Sequence, residues 1–145
     1  PDMAYFRVIS SLISGSKFEL YGDGKIERDF TFIDDCIEMI TLLETELTTR
    51  APGFVDVVNI GGGHPVSINE LIRVTSEQLG AQLDIKQAAS NPSDAVRTMA
   101  DSTYLLQLVG AKPETSLRSG LMRTIDWASK DAEPSQLLEW VNSSL

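Results

Sequence analysis

The residues of this chain best suited to binding chemistry lie in one run, in which an arginine, Arg28, stands among acids beside aromatic residues. The run reads YGDG at 21–24 and RDFTFIDD at 28–35. In a chain with a formal net charge of -9, a guanidinium next to an apolar segment can hold a small anion through paired hydrogen bonds. An ion pair of Arg28 with Glu27 or Asp29 is the alternative interpretation. We interpret Arg28 as a residue that binds phosphate.

A second glycine run, at 61–63, follows an apolar segment and precedes a helical pattern, as the glycines of a dinucleotide-binding turn do. Counted from Gly61, the third position of that fingerprint is Val66 instead of a glycine, so the fingerprint is incomplete. No Lys-Ser or Lys-Thr pair follows the glycines, which excludes a P-loop. The pattern therefore favours a plain tight turn.

The remaining reactive residue types have simpler explanations than chemistry. His64 is the sole histidine and has no metal-ligand partner at suitable spacing, so no metal site is predicted. Cys36, the sole cysteine, is predicted to be a small buried residue. Asp34 and Asp35 could form an acid/base pair, but we prefer the interpretation that one of them caps a helix. For each of these residues we prefer the structural interpretation.

Length and composition bound the class of protein. With 145 residues, 42% of them hydrophobic, the chain can form one domain, which we place at 1–145. The 21 acidic against 12 basic residues argue against a nucleic-acid partner. No apolar run approaches the roughly 18 residues of a membrane span, and a lone cysteine cannot form an internal disulfide. These features predict a cytoplasmic protein. Because the chain begins with Pro1 instead of Met, we expect an upstream segment to be missing.

Hydrophobic periodicity and turn residues predict alternating helices and short strands. The Phe54–Ile60 run is the strongest strand pattern, and its continuous apolar character predicts burial on both faces of a parallel sheet. Ser67 and Glu70 form a capping-box pattern before a helix that stops at Gly80. The other predicted elements are a helix over Met3–Ile13, strands at Phe18–Tyr21, Phe30–Ile33 and Leu83–Ile85, a helix from Asp34 or Asp35 to Leu47, a helix capped by Asp101 and ending at Gly110, a helix opened by Ser116, and a helix from Glu133.

Six motifs occur in one order along the chain, each weak alone and strong in register. They are PDMA at 1–4, YGDG at 21–24, RDFTFIDD at 28–35, VNIGGG at 58–63, Asp94 with Thr98 and Ala100-Asp101, and GAKP at 110–113. In this order, up to Trp127, the chain resembles the C-terminal part of the NAD-dependent nucleotide-sugar epimerases and dehydratases, members of the extended short-chain dehydrogenase/reductase family. The PDMA start and the NPSD loop at 91–94 are similar to the UDP-glucuronate 4-epimerase branch.

The resemblance implies an α/β fold: a helix-rich, C-terminal substrate-binding lobe with the last strands of a Rossmann-type parallel sheet. It also implies a UDP-sugar as ligand and assigns roles to particular residues. Arg28 matches the arginine that holds the pyrophosphate, and Asp94 matches the acid that meets the ribose. Glu19, Leu20 and Tyr21 match the strand that passes the nucleotide base. Asn91 stands where many 4-epimerases have a second phosphate-binding arginine, so this contact is weakened or made by an amide.

The family's chemistry requires parts that lie upstream of Pro1. Such enzymes move a hydride from sugar C4 to NAD and return it to the opposite face, using a glycine-rich NAD site and a Tyr-x-x-x-Lys pair. The one match to that pair here, Tyr21 to Lys25, spans a glycine turn and is a coincidence of spacing. The resemblance thus implies that NAD is bound by an absent N-terminal half, that this chain alone is catalytically incomplete, and that the full-length enzyme is a homodimer.

Two alternatives remain open at the level of sequence. A nucleotide-sugar 4,6-dehydratase or decarboxylase of the same family would share these motifs and differ upstream. A non-catalytic nucleotide-sugar-binding module would keep this lobe without an NAD-binding half.

Overall fold

The computed structural model describes residues 3–130, which form five helices and four short strands. In chain order these are α1 (Ala4–Ser14), β1 (Phe18–Tyr21), β2 (Glu27–Arg28), α2 (Ile33–Leu47), β3 (Val66–Ser67), α3 (Ile68–Leu79), β4 (Ile85–Ala88), α4 (Thr103–Val109) and α5 (Leu117–Lys130). The chain divides into two compact units. The first takes the described parts of Pro1–Ile26, Ser67–Val96 and Leu117–Leu145, and the second takes Glu27–Val66 and Arg97–Ser116.

The first unit is built around α3, which packs against α1 and α5. The side chains at these contacts are apolar and almost fully buried, including Ile9 of α1, Leu71 of α3 and Leu121 of α5. Beside the helices, β1 pairs in parallel with β4, in a register that sets Phe18 opposite Ile85 and Tyr21 opposite Ala88. Helix α1 stops at Gly15, whose φ of 69° is the left-handed conformation that glycine adopts at low cost.

Helix α3 begins and ends where the sequence predicts. The Ser67 side chain accepts a hydrogen bond from the Glu70 backbone N–H at 3.1 Å, as an N-cap residue does. The Glu70 carboxylate binds the Arg73 guanidinium, at 2.7 and 2.8 Å. At the other end, Gly80 caps the helix with a φ of 61°. The predicted limits of α3 are confirmed at both ends. Each cap residue acts on groups only a few residues away, so these limits can be predicted from the local sequence.

The second unit packs α2 against α4, with Met39 and Leu105 among its buried side chains. Strand β2 pairs with β3 and is bridged in parallel to Arg97, through a hydrogen bond from the Thr98 N–H to the Glu27 carbonyl at 3.1 Å. These pairings hold the backbone of β2, the strand that contains Arg28, on both of its edges.

The predicted strand at Phe30–Ile33 is wrong, and so is the aspartate cap that was to follow it. The paired strand lies earlier, at Glu27–Arg28, and α2 already begins at Ile33. The N-cap position is Phe32, which has no side chain able to cap. The Asp35 carboxylate accepts hydrogen bonds from Thr115 and Glu114 instead, since those backbone N–H groups have no ladder partner of their own.

The predicted strand at Phe54–Ile60 is also wrong for this chain. These residues pair with no strand in the described part of the chain, and Val55 and Val57 are 87% and 83% exposed. A parallel strand buried on both faces needs hydrogen-bonding neighbours and covering helices. Strand-like composition supplies neither of these, so the segment stays outside the sheets.

Two smaller differences remain. Strand β4 begins at Ile85, two residues later than its predicted start. The N-cap of α4 is Ser102 instead of Asp101, although Asp101 Oδ1 does accept a hydrogen bond from the Thr103 N–H at 3.0 Å. The helix predicted from Glu133 lies outside the described residues. The α/β fold class is confirmed, since the described residues combine helices with a parallel strand pair. Within 3–130, none of the helices has the length and apolar character needed to cross a bilayer.

Candidate functional site

The base-binding strand of the prediction, Glu19 to Tyr21, is β1 itself. Leu20 faces the core at 5% exposure, whereas Tyr21 is 40% exposed. The Glu19 carboxylate accepts hydrogen bonds from Lys86 of β4 at 2.7 Å and from the Tyr21 hydroxyl at 3.1 Å. The Lys86 hydrogen bond, followed by the Tyr21 hydrogen bond, lowers the pKa of Glu19. This strand therefore presents an ionised, already paired carboxylate and a partly exposed aromatic ring.

The loop that follows β4 lies beside the end of this strand. The Gly22 N–H donates to the Ala88 carbonyl at 3.0 Å, and a side chain at Gly22 would meet the Cβ of Ser90. Farther along the loop, the Asp94 N–H donates to the Asn91 carbonyl at 3.0 Å, which closes a turn. The fold thus brings β1 together with the loop that carries Asn91 and Asp94.

Asn91 uses its side-chain oxygen within that turn. Its Oδ1 accepts a hydrogen bond from the Ser93 N–H at 3.0 Å. An asparagine keeps its two amide N–H donors when its oxygen is occupied in this way. The side chain can therefore act as a neutral donor, but it has no charge to offer a phosphate.

Arg28 belongs to the second unit, where its Nη1 donates to the Glu27 carbonyl at 2.8 Å. The two acids named in the ion-pair alternative have partners elsewhere as well. The Glu27 carboxylate lies 3.2 Å from Nε of Arg97. The Asp29 carboxylate accepts from the backbone N–H groups of Gly63, His64 and Ala100, at 3.0, 3.4 and 3.1 Å.

The glycine turn at 61–63 is filled by the chain's own acceptors. Besides the two N–H groups bound by Asp29, the Gly62 N–H donates to the Thr31 hydroxyl at 3.3 Å and the Gly61 N–H to the Ser102 hydroxyl at 3.1 Å. A Cβ on Gly61 would overlap the side chain of Ala100. A dinucleotide diphosphate needs such backbone donors at the start of a helix, so this turn does not fit NAD. The prediction of a plain tight turn is not confirmed: residues 61–63 form no hydrogen-bonded turn, and only Gly63, with a φ of 69°, lies in a bend.

Sequence reasoning missed two residues that the structure places at these positions. Asp29 was considered only as an ion-pair partner of Arg28, yet its carboxylate connects the glycine turn to Ala100. Arg7 of α1 was not among the predicted site residues. Its Nη2 donates to the Glu19 carbonyl of β1 at 3.3 Å. Neither role has a local signal, because both contacts join distant parts of the chain.

Two further predictions concerned the thiol of Cys36 and a metal site. Cys36 is half-buried, so the prediction of a buried residue is not confirmed. Partial burial raises the pKa of its thiol, and the charge of Asp35 raises it further, which favours the unreactive protonated form. Within 3–130, no three His, Cys, Asp or Glu side chains are grouped closely enough to hold a metal ion.

The comparison with protein families identifies the class. Residues 1–61 match the model of the NAD dependent epimerase/dehydratase family. A UDP-glucuronate 4-epimerase of Thermodesulfobacterium geofontis is 31% identical over 134 residues, which cover 92% of this chain and 40% of that protein. The chain is similar to the C-terminal part of the NAD-dependent epimerase/dehydratase family.

Solved structures agree with this assignment. The UDP-glucuronic acid 4-epimerase of Bacillus cereus, in complex with UDP-glucuronic acid and NAD, has a TM-score of 0.79 and 32% identity over 90% of this chain and 40% of that one. MoeE5, in complex with UDP-glucose and NAD, has a TM-score of 0.81 and 31% identity over 92% and 43%. The chain therefore spans about two fifths of the length of these relatives.

Proposed function

We propose that this chain is the nucleotide-sugar-binding part of an NAD-dependent epimerase that acts at C4 of a UDP-sugar, with UDP-glucuronate or UDP-glucose as substrate. The observation that carries the proposal is the match to structures of epimerases that hold UDP-sugars and NAD, at TM-scores near 0.8. The relatives' remaining length leaves room for an NAD-binding half outside these residues.

In this proposal the binding task is divided among three groups of residues. Strand β1, with Glu19, Leu20 and Tyr21, passes the nucleotide base. The loop after β4 supplies Asp94 to the ribose and the Asn91 amide to a phosphate. Arg28 binds the pyrophosphate through its planar guanidinium, whose geometry suits paired phosphate oxygens.

This division has a chemical reason. An epimerase must present both faces of the sugar to its redox cofactor, so the sugar has to turn while the rest of the ligand stays fixed. NAD, when bound by the rest of the enzyme, supplies hydride acceptance and return at C4. The residues proposed here hold the base, the ribose and the pyrophosphate, which do not react. Their binding energy therefore fixes the ligand without restraining the reacting ring. We also propose that the full-length enzyme is a homodimer.

Titration of the full-length protein with UDP tests the role of Arg28. Arg28→Ala removes a charge-assisted contact, and contacts of this kind contribute about 1.5 to 3 kcal/mol, so affinity should fall roughly 10- to 150-fold. Arg118→Ala is the matched control, since Arg118 pairs with Glu77 on the surface of the first unit and should leave UDP affinity unchanged. An Arg28→Ala protein that binds UDP as tightly as the wild type would refute the assignment.

The reaction class has a separate test. Full-length protein supplied with NAD and UDP-glucuronate should yield the C4 epimer, identified by analysis of the released sugar. A parallel assay supplies UDP-glucose, which has the C6 hydroxyl that a dehydratase eliminates as water. A 4-keto, 6-deoxy product from UDP-glucose would assign the protein to the dehydratases, and a pentose product from UDP-glucuronate, formed with loss of carbon dioxide, would assign it to the decarboxylases. Protein that binds UDP but converts no nucleotide sugar would be a binding module.

A further inference from the structure

Arg7 lies in an environment that holds a guanidinium in place without neutralising it. Its Nη2 donates to the Glu19 carbonyl at 3.3 Å. Its Cζ lies 5.2 Å from the ring centroid of Phe18 and 5.8 Å from that of Tyr21, both within the range of cation–π attraction. These contacts use one N–H donor and leave the positive charge available.

The guanidinium lies at the edge of β1 that faces away from β4. The N–H groups of Phe18 and Gly22 donate to carbonyls of the β4 segment, at 2.8 and 3.0 Å. Backbone groups alternate in direction along a strand, so the Glu19 carbonyl between them points to the other edge. In the described part of the chain no strand pairs with that edge, because the sheet has only β1 and β4. Arg7 is therefore the cation at the unpaired edge of the proposed base-binding strand.

The charges around Arg7 differ from those around most arginines of the chain. Four of these arginines pair with glutamates: Arg50, Arg73, Arg97 and Arg118. No carboxylate among residues 3–130 lies within ion-pair distance of Arg7. The acid of β1, Glu19, is already bound by Lys86 at 2.7 Å. In a chain with a net charge of -9, an arginine held by rings and a carbonyl is suited to an external acceptor.

We propose that Arg7 binds the base of the nucleotide by donating from its guanidinium to a ring carbonyl oxygen. This inference rests on the function proposed above, in which β1 carries the base. A guanidinium has five N–H donors and no acceptor, so it favours a base with carbonyl oxygens on its exposed edge, as uracil has. Phosphate oxygens are the other acceptors that these donors could take, and the experiment separates the two.

Binding of UDP and of uridine to the full-length protein distinguishes base contacts from phosphate contacts. Arg7→Ala should weaken both ligands by the same factor, on the order of 10-fold for a hydrogen bond to a charged group. Arg28→Ala should weaken UDP and leave uridine unchanged. Unchanged uridine affinity in Arg7→Ala would overturn the inference. If the same variant binds UDP more weakly, Arg7 contacts the phosphates instead of the base.

Two further measurements keep the result interpretable. Arg118→Ala is again the control, and circular dichroism checks that each variant is folded. If Arg7→Ala does not fold, Arg7→Lys replaces it: lysine keeps the charge but loses the planar set of donors, so it should bind uridine more weakly than the wild type. Equal uridine binding by Arg7→Lys and the wild type would then overturn the inference. A wild-type protein that binds neither UDP nor uridine would refute the proposed function itself.

Discussion

Two aspartates of the second unit and two glutamates of the first unit use their carboxylates in opposite ways. In the second unit, Asp29 and Asp35 each accept hydrogen bonds from backbone N–H groups of distant segments. In the first unit, Glu70 and Glu77 pair with arginine side chains on the surface of the helices. The first unit has a continuous helix core, whereas the second has long segments outside any ladder.

This difference shows at which positions a carboxylate contributes to the stability of the fold. A backbone N–H outside regular structure needs an acceptor, and leaving one buried without a partner is costly. A carboxylate that supplies acceptors to several such groups replaces missing secondary structure. An exposed ion pair on a helix joins groups that water would solvate well, so its net contribution is small. Aspartates of the RDFTFIDD run therefore act as internal anchors, in the same segment that carries Arg28.

Removing the Asp29 anchor should have the largest effect. Asp29→Ala leaves the N–H groups of Gly63, His64 and Ala100 without their acceptor, so the free energy of unfolding should fall by about 3 kcal/mol. Urea denaturation measures this, and Asp29→Asn, which keeps one carbonyl oxygen, should lose less. If Asp29→Ala is as stable as the wild type, the carboxylate is no anchor and the comparison between the units fails.

Asp35 provides a smaller version of the same test. Its carboxylate accepts from the N–H groups of Glu114 and Thr115 and from the Thr115 hydroxyl, at 2.6 to 2.9 Å. Asp35→Ala should lower the free energy of unfolding by about 2 kcal/mol. Thr115→Val, which removes only the hydroxyl contact, is the matched partial variant and should cost less. Equal losses in the two variants would show that the backbone contacts contribute nothing.

The ion pair between Glu77 and Arg118 on the surface of the first unit should contribute little to stability, and its contribution should depend on pH and salt concentration. The Arg118 hydrogen bond, together with the charge of Arg73, lowers the pKa of Glu77. A carboxylate with a lowered folded-state pKa stabilises the fold above its unfolded pKa, and this contribution disappears as the pH falls through the lowered value. Glu77→Gln should therefore shift the Tm slightly at neutral pH, and by less in about 1 M salt. Wild type and variant should melt together at a pH below the folded pKa. A difference that persists there would exclude charge as its cause.

The contact between Asp56 and Tyr104 should give the smallest effect, seen in titration and not in stability. The Asp56 hydrogen bond raises the pKa of Tyr104, so this contact stabilises the fold at neutral pH and is lost as the pH rises through that value. In Asp56→Asn, the ultraviolet titration of the chain's three tyrosines should show one transition at a lower pH. An unchanged titration curve would show that Asp56 does not act on Tyr104.

Local signals predicted the elements of the first unit well. The stop of α1 at Gly15 and the limits of α3 at Ser67 and Gly80 follow from residues within one helical turn. The β1 strand at Phe18–Tyr21 appears with its predicted limits. Predictions failed in the second unit, at Phe30–Ile33 and Phe54–Ile60, because a strand exists only where another strand pairs with it.

The candidate site likewise has residues that the sequence predicted and contacts that it could not predict. Motifs in register were enough to select Arg28, the β1 residues and the loop of Asn91 and Asp94 as candidates. They could not show that the Asp29 carboxylate is occupied by the glycine turn, or that Arg7 reaches the Glu19 carbonyl. Arg7 and Glu19 are 12 residues apart, and Asp29 and Gly63 are 34 apart, so only the folded backbone brings each pair together.

By itself, the amino-acid sequence determined the resemblance to the epimerase/dehydratase family, the stop of α1, the limits of α3 and the candidate residues for nucleotide binding. The tertiary structure alone decided which acids became anchors, which strand-like run remained unpaired, and that Arg7 lies within ion-pair distance of no carboxylate among residues 3–130. The physical reason is the sequence separation between the groups that interact. Caps and turns are settled by atoms a few residues away, whereas hydrogen-bond partners for an isolated N–H, carbonyl or guanidinium are chosen only when distant segments meet.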